Sequence, residues 1–169
     1  ARAMLRPQDR AVLLELHPAE ATKLKSRFRG DRQVGVHAPR DAREGLRALL
    51  PSMTPRGLVL IDPSYERRAE YAEVAGLLAV LRRHWATATV MIWYPLLGSP
   101  RRGRHRTLLD AVAAQQLPEV LISELRVRDF DVSGLCGSGL IIVAPPWPFG
   151  ERWPSVADWL HAALNAAEV

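Results

Sequence analysis

Short apolar runs alternate with longer stretches of helical period along this chain, and that alternation leaves few folds open. Residues 11–16 (AVLLEL), 33–37, 57–61 (GLVLI), 89–94 (TVMIWY), 120–127 and 140–144 read as strands. Between them, 19–28 reads as a helix with Leu24 and Phe28 on one face, closed by Gly30. Asp41 can cap a helix carrying Leu46, Leu49 and Leu50. Residues 69–85 place Val74, Leu77, Leu78 and Leu81 at helical spacing, and 107–115 gives a shorter helix. Ser155 can cap a last helix with Val156, Trp159, Leu160, Ala163 and Leu164 turned inward.

Strand–helix alternation with apolar strands predicts a parallel sheet covered on both faces. The last two strands are separated only by residues 128–138, too few for a helical crossover, so this pair is expected to be antiparallel. Such an open α/β sheet with an antiparallel end pair is the class I, Rossmann-like methyltransferase architecture. Residues 1–169 are read as one methyltransferase-like domain. The glycine-rich stretch 134–139 precedes a strand, whereas a cofactor loop follows one, so it is expected to be a turn with close backbone packing.

Composition narrows the setting. An apolar fraction of 48% supplies a core, and no apolar run approaches a membrane span. The only cysteine is Cys136, which excludes a disulfide framework and fits a reducing, cytoplasmic compartment. His17, His37, His84 and His161 lack metal-ligand spacing, and no metal is expected. The net charge is +5, and only Lys23 and Lys25 among the basic residues are lysines. Residues 99–106 (SPRRGRHR) concentrate Arg101, Arg102, Arg104 and Arg106. They can bind RNA phosphates through forked guanidinium groups, or form a solvated loop.

In open α/β sheets ligands bind beyond the carboxyl ends of the strands. Glu15, Asp41 and Asp62 each stand there. A carboxylate can accept two ribose hydroxyls, and another can meet an adenine amino group. The structural alternatives are a solvated strand end for Glu15, a helix cap for Asp41 and a plain turn for Asp62. Trp93 is expected in the core, with Tyr94 and Trp147 nearer strand ends where either can border a pocket.

The turn Asp62-Pro63-Ser64-Tyr65 resembles the Asp-Pro-Pro-Tyr motif of amino-group methyltransferases. The wider sequence is similar to the bacterial 23S ribosomal RNA adenine-N6 methyltransferases of the RlmJ type. Four blocks carry the likeness in order: Leu14-Glu15-Leu16-His17-Pro18; 56–63 (RGLVLIDP); Ile92-Trp93-Tyr94-Pro95; and 138–143 (SGLIIV) with Pro145-Pro146-Trp147. Trp159-Leu160-His161 follows them.

This resemblance implies S-adenosylmethionine as cofactor and ribosomal RNA as partner, with no membrane. Glu15 would bind the cofactor ribose, Asp41 with Ala42 would sit beside its adenine, and Asp62 would act at both cofactor and substrate. Asp62 and the Pro63 carbonyl would each accept one amino hydrogen, aiming the nitrogen lone pair at the methyl group. Tyr65 would stack on the extruded base.

Three departures stand out. Ser64 replaces the second proline, and Asp41-Ala42 stands for the family's Asp-Gly. The sequence also corresponds to the C-terminal two-thirds of the family fold, without its first central strand and glycine-rich loop. A catalytically silent RNA-binding relative and a small-molecule methyltransferase are the competing readings. A sheet without its central strand exposes unpaired edges on the two neighbours, unless these pair directly. The oligomeric state is not readable from the sequence, but a monomer with one cooperative thermal transition counts against the missing strand.

Overall fold

The computed structural model describes residues 2–50 and 54–165. The chain divides into two compact units, Ala1–Ser52 and Met53–Val169, each described by itself below.

The first unit is a strand–helix–strand–helix run. After a 3-10 turn at Arg2–Met4 come β1 (Ala11–Leu14), α1 (Pro18–Arg27), β2 (Val34–His37) and α2 (Ala42–Leu49). β1 and β2 pair in parallel, with Ala11 opposite Val34 and Leu14 opposite His37. α1 starts at Pro18, where a missing N–H costs nothing, and carries Glu20 in its first turn with Lys25 and Arg27 in its last. Ala21 is buried and Leu24 and Phe28 half-buried, so the expected face turns inward. The chain leaves the helix through Gly30 at φ +79°. In α2 the buried residue is Gly45, where a Cβ would lie 2.6 Å from a methyl of Leu14. Glycine lets the helix approach β1 closely.

The second unit holds β3 (Leu58–Ile61), α3 (Glu70–His84), β4 (Thr89–Leu97), α4 (Arg106–Ala113), β5 (Val120–Arg126), β6 (Leu135–Val143) and α5 (Phe149–Asn165). The sheet order is β3-β4-β6-β5. β3 and β4 are parallel, and β6 runs antiparallel to both neighbours, which bears out the expected antiparallel end. Tyr71, Leu78 and Leu81 of α3 and Leu108 of α4 are fully buried, as are Val90, Ile92 and Tyr94 of β4 and Ile141 of β6. Each such aliphatic side chain contributes roughly 1.5–3 kcal/mol on leaving water. Pro95 lies past the end of β3, where one edge of β4 has no strand neighbour to miss its N–H.

Three expectations are corrected. First, the apolar strands do not form one sheet: β1 and β3 lie in separate sheets, and each of these two strands has one free edge among the described residues. Leu58 and Leu60 of β3 remain 63% and 62% exposed. Second, residues 135–139 are strand rather than turn. A Cβ on Gly139 would collide with the Tyr94 ring, and one on Gly137 with the Leu125 carbonyl. These glycines serve close packing within a strand. Third, α5 begins at Phe149, so Ser155 lies inside it and caps nothing. Trp153 stacks on Phe149 with ring centres 5.2 Å apart. Trp153, Ala157 and Leu160 take the half-buried side, leaving Val156, Trp159 and Leu164 exposed. The sequence fixes the period of that apolar stripe, but not which way the helix is rotated.

Among the described residues no helix is long and apolar enough to cross a membrane. The packing predicts opposite outcomes for two glycines. Gly139→Ala should lower the thermal midpoint strongly, at a cost of about 2 kcal/mol or more. Gly76→Ala, inside α3 with nothing within 4 Å of its added Cβ, should be neutral or stabilise by up to about 1 kcal/mol. Thermal unfolding followed by circular dichroism checks both.

Candidate active site

In the first unit, Glu15 directly follows β1 and Asp41 directly precedes α2. The Arg40 N–H donates to the Glu15 carbonyl at 2.8 Å, tying the two turns together at the carboxyl end of the parallel pair. Glu15 Oε1 accepts the His17 N–H at 2.7 Å. No cation pairs with its carboxylate among the described residues. Glu15 also lines a cleft of about 280 Å³ with Glu20, Lys23, Leu24 and Arg27. A half-buried acceptor beside such a cleft fits paired ribose hydroxyls.

Asp41 is placed differently. Its Oδ1 accepts the Arg43 backbone N–H at 2.7 Å, and its carboxylate also receives the Arg43 guanidinium at 3.1 and 3.2 Å. The guanidinium holds this carboxyl below the usual carboxylate range. The side chain is thus engaged as a helix cap. Ala42 opens α2, where the first N–H groups have no intrahelical acceptor.

In the second unit, β3 delivers Asp62 to the carboxyl end of the parallel β3–β4 pair. Asp62 is exposed, and no hydrogen bond or ion pair engages its carboxylate among the described residues. Pro63 is half-buried and Ser64 exposed. Tyr65 then reverses the chain at φ +53°, a left-handed conformation rare for a residue with a Cβ. Its hydroxyl donates to the Trp93 carbonyl at 2.8 Å. Its ring centre lies 4.5 Å from that of Tyr71 and 6.1 Å from that of Trp93. Burial pushes the hydroxyl pKa well above the ordinary tyrosine value.

This geometry corrects the stacking role given to Tyr65. At 2% exposure, between Tyr71 and Trp93, its ring offers no open face to an incoming base. The positive φ turns the side chain into the core, where it anchors the turn that carries Asp62. Trp93 is half-buried beside it, less enclosed than a core residue. Tyr94 does not border a pocket. It is fully buried, and its hydroxyl donates to Glu124 Oε1 at 2.9 Å. Trp147 is 85% exposed.

The arginine-rich segment leads into α4. Arg101, Arg102 and Arg106 are exposed and Arg104 half-buried. The charges of Arg104 and Arg101 reach Tyr71 and partly offset the rise that burial imposes on its hydroxyl pKa. Arg102 has one weak partner, Asp131 at 3.9 Å.

The sequence pattern gives no sign of Tyr71 or Glu124, and His105 stands in it only as a member of the basic segment 99–106. Tyr71 sits within an apolar helical pattern, and only the fold sets its ring against Tyr65. His105 stacks on Tyr94, ring centres 5.7 Å apart, with Nε2 3.7 Å from Glu124 Oε1. Burial lowers the His105 pKa below 6.5; the Glu124 charge opposes that shift, and Arg106 adds to it.

Comparison with known proteins places this geometry. A family profile described as Ribosomal RNA large subunit methyltransferase D, RlmJ, matches residues 1–168. Ribosomal RNA large subunit methyltransferase J of Escherichia coli is 35% identical over 168 residues, covering 99% of this chain and 59% of that protein. The Haemophilus influenzae protein of the same name is 34% identical over 165 residues, covering 97% and 57%. A crystal structure of a Legionella pneumophila protein superposes with TM-score 0.84 at 32% identity, covering 96% of this chain and 59% of that one. The chain therefore spans somewhat more than half the length of these relatives.

The His105 environment predicts a pH dependence. A depressed folded pKa means that the fold holds the neutral ring. That contribution to stability is full above about pH 6.5 and is lost as pH falls below it. The thermal midpoint should drop on acidification through this window, and His105→Gln should flatten the drop. An unchanged slope in the variant assigns the effect to other groups.

Proposed function

From the premise that the chain belongs to the RlmJ family of ribosomal RNA large subunit methyltransferases, we propose that it serves the S-adenosylmethionine-dependent N6-methylation of an adenine in 23S ribosomal RNA. Both units act as parts of one methyltransferase domain in this reading. The observation that carries it is the unengaged Asp62 carboxylate at the carboxyl end of β3, on a turn anchored by the Tyr65 hydroxyl on the Trp93 carbonyl. A cytoplasmic setting is supported by the single free cysteine, Cys136.

When bound, S-adenosylmethionine supplies a methyl group made electrophilic by its sulfonium. Glu15 accepts hydrogen bonds from the ribose through the carboxylate oxygen that His17 leaves free. Asp41 and Ala42 contribute through the backbone at the start of α2, since the Asp41 side chain is committed to Arg43. At the substrate, an adenine amine is a weak nucleophile because its lone pair is delocalised into the ring. Asp62 and the Pro63 carbonyl each accept one amino hydrogen, which localises that lone pair and orients it for attack. With the cofactor bound, the amine nitrogen would take the methyl group as the S–CH3 bond breaks, leaving the cofactor as its thioether, and the extra proton on nitrogen would pass to water. Tyr65 is a positioning residue that holds Asp62 and Pro63 in register. Arg101, Arg102, Arg104 and Arg106 bind RNA phosphates nearby.

Methyl transfer from labelled S-adenosylmethionine to ribosomal RNA tests this reading. Asp62→Ala should reduce transfer by roughly a hundredfold or more. Glu15→Ala should weaken the cofactor heat instead. Tyr65→Phe should lower transfer without weakening cofactor binding. Undiminished transfer by Asp62→Ala overturns the assignment, and absence of cofactor heat in the unaltered chain favours a silent RNA-binding relative.

A further inference from the structure

Beyond the loop arginines, a second element carries cations to the same surface. The turn between β5 and β6 holds Phe130, and two guanidinium groups lie over its ring. Arg102 is 5.0 Å from the ring centre and Arg126, from the end of β5, is 5.7 Å away. The two segments are joined backbone to backbone. The Ser99 N–H donates to the Phe130 carbonyl at 2.9 Å, and the Gly98 N–H to the Gly134 carbonyl at 3.0 Å. Gly98 is required there, because a Cβ would collide with the Val132 carbonyl. The arginine loop is thus fixed to the hairpin turn.

Two exposed carboxylates, Asp129 and Asp131, flank Phe130 on this surface, and the arginines outnumber them. Arg126 forms no ion pair among the described residues, and it is exposed. The Asp131 partner of Arg102 is 95% exposed at 3.9 Å, a pairing that solvent screens to little value. Glu124, two residues before Arg126, accepts the Tyr94 hydroxyl and lies beside His105. A guanidinium over a ring face keeps its edge N–H groups pointing outward, where they can fork onto a phosphate.

We infer that Arg102 and Arg126, spread on the Phe130 ring, form a clamp for neighbouring phosphates of one RNA strand, extending the Arg101–Arg106 surface onto the β5–β6 hairpin. The inference rests on the RNA-methyltransferase reading and adds to it a binding residue, Arg126, and a positioning residue, Phe130. Phe130 carries no charge, so its effect on RNA affinity comes through the two cations that it holds.

Fluorescence anisotropy with a labelled single-stranded RNA of mixed sequence, titrated at several salt concentrations, tests the clamp. Arg126→Gln should weaken binding about fivefold and reduce the salt slope by about one. Phe130→Leu should weaken it comparably and also reduce the slope, while Phe130→Tyr should restore both. Thermal unfolding checks that each variant is folded. If Phe130→Leu does not fold, the exposed Arg126→Gln decides alone. Unaltered affinity and slope in Arg126→Gln, while Arg101→Gln with Arg104→Gln weakens binding, overturns the clamp and leaves the RNA reading standing. No binding of RNA by the unaltered chain overturns both.

Discussion

The hydrogen bond from the Tyr65 hydroxyl to the Trp93 carbonyl does more than fill a core position. It joins the turn after β3 to the part of β4 that runs past the end of β3, where no ladder bond can do so. A left-handed residue with a Cβ costs about 1–3 kcal/mol and persists only where its surroundings hold it. Here a buried hydroxyl with one acceptor and the packing of Tyr71 and Trp93 hold it. The result is a short turn whose exposed acidic residue has no partner among the described residues, built on a side chain that is almost wholly enclosed.

The same division recurs across the second unit. Some polar tips are engaged, as where the Tyr94 hydroxyl meets Glu124 and the Tyr94 ring meets His105, while the Tyr71 hydroxyl and His105 Nδ1 are buried without a hydrogen-bond partner among the described residues. Exposed cations have weak ion-pair partners or none among the described residues, as with Arg102 and Arg126. Committed groups set geometry, and uncommitted ones are available to a ligand. Asp41 shows why sequence order alone cannot sort these classes. It stands where a ligand-binding carboxylate is expected, yet Arg43, two residues on, claims its side chain.

Much of the fold was legible because period and polarity are local. The helix of Val74, Leu78 and Leu81 packs as its spacing predicts, and the short span before β6 demanded an antiparallel pair. What escaped reading depends on distant neighbours. Tyr65 looks like a surface aromatic until its φ and the Trp93 carbonyl are known. Residues 134–139 look like a turn until Tyr94 is seen to need the space above Gly139. The stripe of Val156, Trp159 and Leu164 has the right period, yet it stays exposed while Trp153, Ala157 and Leu160 take the half-buried side. At the candidate site, acidic residues at strand ends were readable, but the roles of Tyr71, His105 and Phe130 were not, since each acts through contacts made only by folding.

The fit of the Tyr94 ring over Gly139 also constrains how this sheet can change over time. A larger residue at 139 needs a smaller one at 94, and a smaller one there removes the hydroxyl that meets Glu124, together with the ring on which His105 lies. Four positions on β4, β5, β6 and the start of α4 are therefore expected to drift as a set. Sequences that diverge at one of them should carry compensating exchanges at the others.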